Sequence, residues 1–180
     1  VTPDTEMLDV GTGSGILGIV ALKLGAKHVL GTDLDPCAVP AVAENKEANQ
    51  IVDETFDMVI GNIIDDKAIQ DQAGYECYDI VVANILAPVI IMLQGEIAPH
   101  LKHGGIFITS GIINTKEEDV RQAMQVIINV SKEVENGRNY LIFPEGTRSK
   151  NGNKIGTFKG GSFKAATKAK CPIVPVALVN

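Results

Sequence analysis

Three glycines at alternate positions, Gly11, Gly13 and Gly15, follow an acidic residue in the run Met7-Leu8-Asp9-Val10-Gly11-Thr12-Gly13-Ser14-Gly15. Glycine adopts positive φ and lets a ligand approach the backbone closely. The N–H groups at a helix start point outward without intrahelical partners. A nicotinamide-binding fingerprint would place its last glycine at position 16, but that residue is Ile16. A carboxylate at Asp9, two positions ahead of the first glycine, would repel a pyrophosphate. It suits a cationic ligand, such as one carrying an α-amino group or a sulfonium. Asp33 lies 22 residues after Gly11, at the predicted end of strand two, where a carboxylate can accept from both hydroxyls of a ribose. The combination predicts a nucleoside cofactor. The competing account is a structural turn with Asp33 capping the next helix, a role for which Asp35 is better placed. Asn84, in Ala83-Asn84-Ile85-Leu86-Ala87, closes predicted strand four. Ligands of open parallel sheets bind beyond the carboxyl ends of the strands. An amide there can accept from a substrate amine and aim its lone pair at a methyl group, with alignment supplying most of the rate. Capping the following helix is its alternative role.

A second motif, Phe143-Pro144-Glu145-Gly146-Thr147-Arg148-Ser149, suggests a phosphate clamp. Arg148 can fork onto phosphate with two parallel bonds, and Gly146 permits close backbone approach. With Phe158 to Lys164 and Pro172 to Leu178 downstream, residues 119–180 resemble the C-terminal half of lysophosphatidic acid acyltransferases. That resemblance implies a His, four residues and an Asp as the base pair activating a glycerol hydroxyl. His28 and Asp33 alone match the spacing, but they span strand two, where residues five apart point to opposite faces. The clamp is therefore expected to be catalytically inert, with Arg148 still able to bind an anion. His100 and His103 have no Asp at that spacing and are expected to be exposed at a helix end.

Alternating strand and helix signals through the first two thirds imply a parallel sheet with covered faces. Strands are predicted at Glu6–Val10, Val29–Thr32, Met58–Ile60, Asp79–Ala83 and Ile106–Thr109. Helices are expected over Ser14–Leu24, Pro36–Asn49 and Ala87–Leu101, with a short one between Asp65 and Cys77. The first is expected to bury Ile16, Leu17, Ile19, Val20 and Leu24. Lys102-His103-Gly104-Gly105 has the composition of a tight turn. Helical periodicity resumes near Lys116 and extends to about Glu135. Strands Tyr140–Phe143 and Ile173–Leu178 flank a glycine- and lysine-rich loop and a short helix, Ser162–Ala169.

Composition narrows the classes. Hydrophobic residues make up 45% of the 180, enough for a packed core. No apolar run reaches the roughly 18 residues of a spanning helix. The three cysteines form no C-x-x-C pair, which argues against a metal site or disulfide framework and fits a reduced, cytoplasmic setting with small core thiols. Residues 1–125 carry 7 basic and 19 acidic side chains, and residues 126–180 carry 9 and 3. The acidic part disfavours a nucleic-acid partner. The basic part suits weak binding of an anionic ligand or a solvated face.

LDVGTGSGILGIVALKLGAKHVLGTDLDPCAV, YDIVVANILAPVI and HLKHGGIFITSGI together resemble the catalytic domain of the bacterial ribosomal protein L11 methyltransferases. The likeness covers about residues 3–118. It implies a class I S-adenosyl-L-methionine fold, methylation of protein amino groups, a ribosomal protein partner, and cofactor contacts at Gly11, Asp33 and Asn84. Two departures from that family are expected: the N-terminal recognition domain and a threonine preceding the core are missing, and the sheet-closing hairpin is not evident. The expected architecture is α/β: a Rossmann-like parallel sheet in the order 3-2-1-4-5, with an extra C-terminal βαβ-like segment. A methyltransferase core at 1–118 would join an acyltransferase-like fragment at 119–180, with a seam near Thr115–Met124. The leading activity is S-adenosylmethionine-dependent N-methylation, with cofactor contacts at Asp9, Gly11, Gly13, Gly15, Asp33 and Asn84. The rivals are lipid-phosphate acyl transfer through Glu145, Gly146, Thr147 and Arg148, and a hybrid that folds without catalysis.

Overall fold

The computed structural model describes residues 1–123 and 125. The chain divides into two compact units, Val1–Glu117 and Glu118–Asn180, and the first contains the sheet. Its five strands are β1 (Glu6–Val10), β2 (His28–Asp33), β3 (Phe56–Ile60), β4 (Tyr78–Asn84) and β5 (Leu101–Ser110). They pair in parallel, as the alternating pattern predicts, and in the order β3-β2-β1-β4-β5 that the family resemblance implies. Helices α1 (Ile16–Lys23), α2 (Ala38–Ala48), α3 (Lys67–Ala73) and α4 (Ala87–Ile97) supply the connections.

Successive strand side chains point to opposite faces, and a parallel sheet covered by its crossovers buries both. Leu8, Val10, Leu30, Val81 and Ala83 pack on one face with Leu93 and Ile97 of α4. Met7, Val29, Phe56 and Val82 pack on the other with Ile19 and Ala21 of α1 and Val42 of α2. The strands therefore read as nearly continuous apolar runs.

Four local expectations are corrected. Helix α1 buries Gly18, Ile19 and Ala21, whereas Ile16, Val20 and Leu24 are exposed. Its inner stripe is narrowed by Gly18, against which the Phe56 ring and Val29 lie so closely that an added Cβ would sit 2.7 Å and 2.9 Å from them. Lys102 to Gly105 do not form a turn. They lie inside β5, where the register against β4 shifts between Tyr78 and Ile80 and Gly104 has φ +82°. This β-bulge lets the strand continue. His100 is buried, not exposed, with Nδ1 against the Gly74 carbonyl and its ring stacked on Tyr75 at 5.1 Å. Cys37 is exposed rather than part of the core.

Candidate functional site

Parallel register aligns the carboxyl ends of three central strands. Val10 pairs with Thr32 and with Ala83, and Asn84 pairs with Ser110. The glycine turn, Asp33 and Asn84 therefore leave the sheet at one end.

The turn is held from β2. The Gly11 and Thr12 N–H groups both donate to the Thr32 carbonyl, at 2.8 and 3.0 Å, and Gly15 N–H donates to the Thr12 carbonyl at 2.9 Å. Gly11, Gly13 and Gly15 have φ of +71°, +55° and +78°, a left-handed run costly to any other residue. The three glycines differ in surroundings. A Cβ on Gly11 would lie 2.6 Å from Ile85, the residue after Asn84, so its bareness brings the turn against the β4 exit. A Cβ on Gly15 would press on Val42 and Phe56, at 3.0 and 3.3 Å. A Cβ on Gly13 would meet nothing within 4 Å, so the space above the middle of the turn is open.

Asp33 faces this space. Its Oδ2 accepts from Gly13 N–H at 2.8 Å and its Oδ1 accepts from Asp35 N–H at 2.9 Å. An ionised carboxylate has about four lone-pair sites, so acceptor capacity remains. Asp35 makes its own local turn, accepting from Cys37 N–H at 2.8 Å. The N-cap of α2 is Cys37, with no side-chain cap bond, so neither Asp35 nor Asp33 caps the helix.

Asp9 lies beneath the turn and is almost wholly buried, at 1% exposure. The Thr12 hydroxyl donates to its Oδ2 at 2.8 Å. Burial pushes its carboxyl pKa up to about 6, with the Thr12 bond acting in the opposite sense. Two positioning contacts escape sequence reasoning. Thr12 needs only its three-residue spacing from Asp9 to suggest the bond. Asn45 of α2 donates through Nδ2 to the Ser14 carbonyl at 2.9 Å, tying α2 to the turn, and nothing in its local sequence marks it.

Asn84 is exposed at the end of β4. Gly111, one residue past β5, comes close to it: a Cβ on Gly111 would lie 2.8 Å from the Asn84 Oδ1 and 3.1 Å from the Ile85 carbonyl. The open space at Gly13, the Asp33 carboxylate and the Asn84 amide fit an adenosine-bearing ligand. His28 stands at the other end of β2 from Asp33, bridging Glu6 and Asp57 at 3.4 and 3.1 Å, so the two do not form a catalytic pair. A depression nearby, lined by Glu6, Lys27, Tyr78 and Lys102 among others, lies at the amino-terminal edge of the sheet. Its two lysines are paired, Lys27 with Glu6 at 2.7 Å and Lys102 with Asp79 at 2.8 Å. Glu145, Gly146, Thr147 and Arg148 lie outside the described residues. No helix among the described residues is long and apolar enough to cross a membrane.

A family model described as ribosomal protein L11 methyltransferase matches residues 1–142. The match passes through the seam expected near residues 115–124 and ends well beyond 118. A ribosomal protein L11 methyltransferase of Lachnospira eligens is 60% identical over 120 residues, covering 67% of this chain and 38% of the relative. A crystal structure of ribosomal protein L11 methylase from Lactobacillus delbrueckii subsp. bulgaricus superposes with a TM-score of 0.58 at 36% identity, over 67% of this chain and 58% of that one. Precorrin 8W decarboxylase of Methanobacterium thermoautotrophicum superposes with a TM-score of 0.58 at 18% identity, over 69% of this chain and 63% of that one, a likeness of fold. The chain thus spans about four-tenths of the length of that Lachnospira relative.

Proposed function

Because this chain belongs to the ribosomal protein L11 methyltransferase family, we propose that residues 1–118 form an S-adenosyl-L-methionine-dependent core that methylates amino groups of a ribosomal protein. The observation that carries this is the Asp33 carboxylate anchored to Gly13 N–H at 2.8 Å beside the open face of the turn. The anchor presents a negatively charged acceptor where the two ribose hydroxyls of an adenosine would lie.

When bound, the cofactor supplies an electrophilic methyl group on a positively charged sulfur. The chain's own residues do the rest. Asp33 holds the ribose by accepting two hydrogen bonds, each worth about 1.5–3 kcal/mol when one partner is charged. Gly11, Gly13 and Gly15 keep side chains out of the cradle. Asp9 braces the turn from below through Thr12, and its negative charge favours a cationic ligand above. Asn84 accepts from the N–H of a neutral substrate amine, and that bond points the nitrogen lone pair along the line of attack. The methyl group would pass to that nitrogen, with the electron pair of its former bond left on the cofactor's sulfur. The methylated ammonium then loses its proton to solvent. No acid or base residue is required for the displacement itself, so alignment is the main contribution.

Titration calorimetry with S-adenosylhomocysteine tests this. Saturable binding is expected, with affinity falling at least about a hundredfold on Asp33→Ala, the loss of two charged hydrogen bonds. Asp33→Asn should retain part of it. An absence of binding, or an affinity indifferent to Asp33→Ala, would refute the assignment.

A further inference from the structure

We propose that Gly111 is a positioning residue for methyl transfer: its missing side chain lets the β5 exit press against the Asn84 amide and fix the direction of Oδ1. This inference rests on the acceptor role given to Asn84 above and adds a residue that sets its geometry.

Asn84 is the last residue of β4, exposed and followed by Ile85 and Leu86, which lead into α4. A terminal amide torsion is broad and roughly two-fold, so an exposed Asn does not hold one direction by itself. At Gly111 the backbone has φ +80°, and the chain folds back over the end of β4. An added Cβ would stand 2.8 Å from Asn84 Oδ1, 3.1 Å from the Ile85 carbonyl and 3.5 Å from Ile85 N. The first separation is shorter than any real contact to a Cβ. The next two are to backbone that continues into α4 and cannot move independently. Of the three neighbours, the amide is the one able to yield, and it would do so by rotating away from its place.

The same bareness supplies a second effect. Gly111 brings no side chain to Oδ1, so one side of the amide is approached by backbone without its acceptor being taken up by a side-chain donor. The free direction of Oδ1 is left for a substrate N–H.

The test compares two ligands within each variant. S-adenosylhomocysteine lacks the methyl group and does not reach an acceptor at Asn84. Sinefungin has a carbon in place of the sulfur and carries an amine in place of the transferred methyl group, so its N–H would lie where the proposal puts the Oδ1 acceptor. The ratio of the two affinities reports the amide alone, and because both are measured on one sample, any loss of folded protein cancels. Gly111→Ala is expected to lower the sinefungin preference about tenfold, the worth of one hydrogen bond to a charged group. Gly104→Ala is the control, since Gly104 has φ +82° but a Cβ there meets nothing within 4 Å; it carries backbone strain alone and should leave the ratio unchanged. In an Asn84→Ala background, Gly111→Ala should have no further effect on the ratio, the signature of one residue acting through another. An unchanged ratio in Gly111→Ala, an equal fall in Gly104→Ala, or a further fall in the Asn84→Ala background would each overturn the proposal. Loss of S-adenosylhomocysteine binding by the unaltered protein would instead overturn the cofactor assignment beneath it.

Discussion

Replacing Asp9 by Asn should make the protein more stable at neutral pH and a poorer binder of its cofactor. Asp9 is 1% exposed, and burial raises its carboxyl pKa from 3.8 to about 6. The folded chain therefore holds this proton more tightly than the unfolded chain does. Below pH 3.8 both states are protonated and the group is neutral toward stability. Between pH 3.8 and 6 the unfolded chain has released the proton while the folded chain retains it, so stability falls as pH rises. Above pH 6 the full cost of a buried carboxylate is present. A shift of about two units corresponds to about 3 kcal/mol. Asn keeps an oxygen for the Thr12 hydroxyl, which now donates to Asp9 at 2.8 Å, and cannot ionise. The assay is urea denaturation of both proteins from pH 4 to 8, taken as a difference so that other titrating groups cancel. The stability advantage of Asp9→Asn should grow from near zero at pH 4 to about 3 kcal/mol at pH 7. A difference that stays flat across this range would refute the assigned cost of the buried charge. A natural protein keeps such a cost where function needs it. The same variant should accordingly bind S-adenosylhomocysteine, with its ammonium group, more weakly at pH 7.5. Stabilisation together with undiminished binding would leave the carboxylate without a role.

His100 titrates with the opposite sign. Burial lowers its pKa below the usual 6.5, with the Gly74 carbonyl offsetting part of the effect. The unfolded chain takes up the proton first, so stability should drop as pH falls through about 6.5. His100→Phe, which preserves a ring against Tyr75, should flatten that drop in denaturation curves between pH 7.5 and 5.5. At Gly18 a methyl group would sit 2.7 Å from the Phe56 ring and 2.9 Å from Val29. Gly18→Ala gains about 1 kcal/mol of helix propensity but overpacks the core by about 1–3 kcal/mol. Its urea midpoint should therefore stay level or fall, and a clear rise would contradict the packing.

The central strands were legible because they are apolar on both faces and bounded by turn residues, so their parallel direction follows from alternation, whereas their order followed from the family resemblance. The placement of Asp9, Asp33 and Asn84 at or near the carboxyl ends of strands was legible because turn residues follow each apolar run directly. Other features were hidden for physical reasons. The inner face of α1 depends on how closely Phe56 approaches Gly18, a tertiary contact that periodicity does not contain. Lys102 to Gly105 have turn composition and form the irregular stretch within β5 that lies between the Tyr78–Leu101 and Ile80–Ile106 pairs. His100 looked polar and exposed, yet Tyr75 and the Gly74 carbonyl give it a buried place. Gly111 carried one signal, a glycine directly after strand five, which by itself is ordinary punctuation.

Asp9 and Gly111 share a logic. Neither is given contact with the transferred methyl group, and each braces another part of the proposed site. Asp9 acts on the turn through Thr12 from below, and Gly111 acts on Asn84 from the side. Both constraints originate in β1, β4 and β5, whose pairing is continuous from Met7–Ile80 to Asn84–Ser110 apart from the one bulge. Paired strands are tied along their length, whereas the loops leaving them depend on contacts such as these against a drift of about an ångström. A reaction that depends on alignment loses about a hundredfold in rate for such a drift. It follows that substitutions at these two positions should damage geometry more than the global fold. The damage at Gly111 should appear in amine recognition, and that at Asp9 in affinity for the cationic cofactor. Finding both defects in both variants would mean the two constraints are a single cooperative unit rather than independent braces.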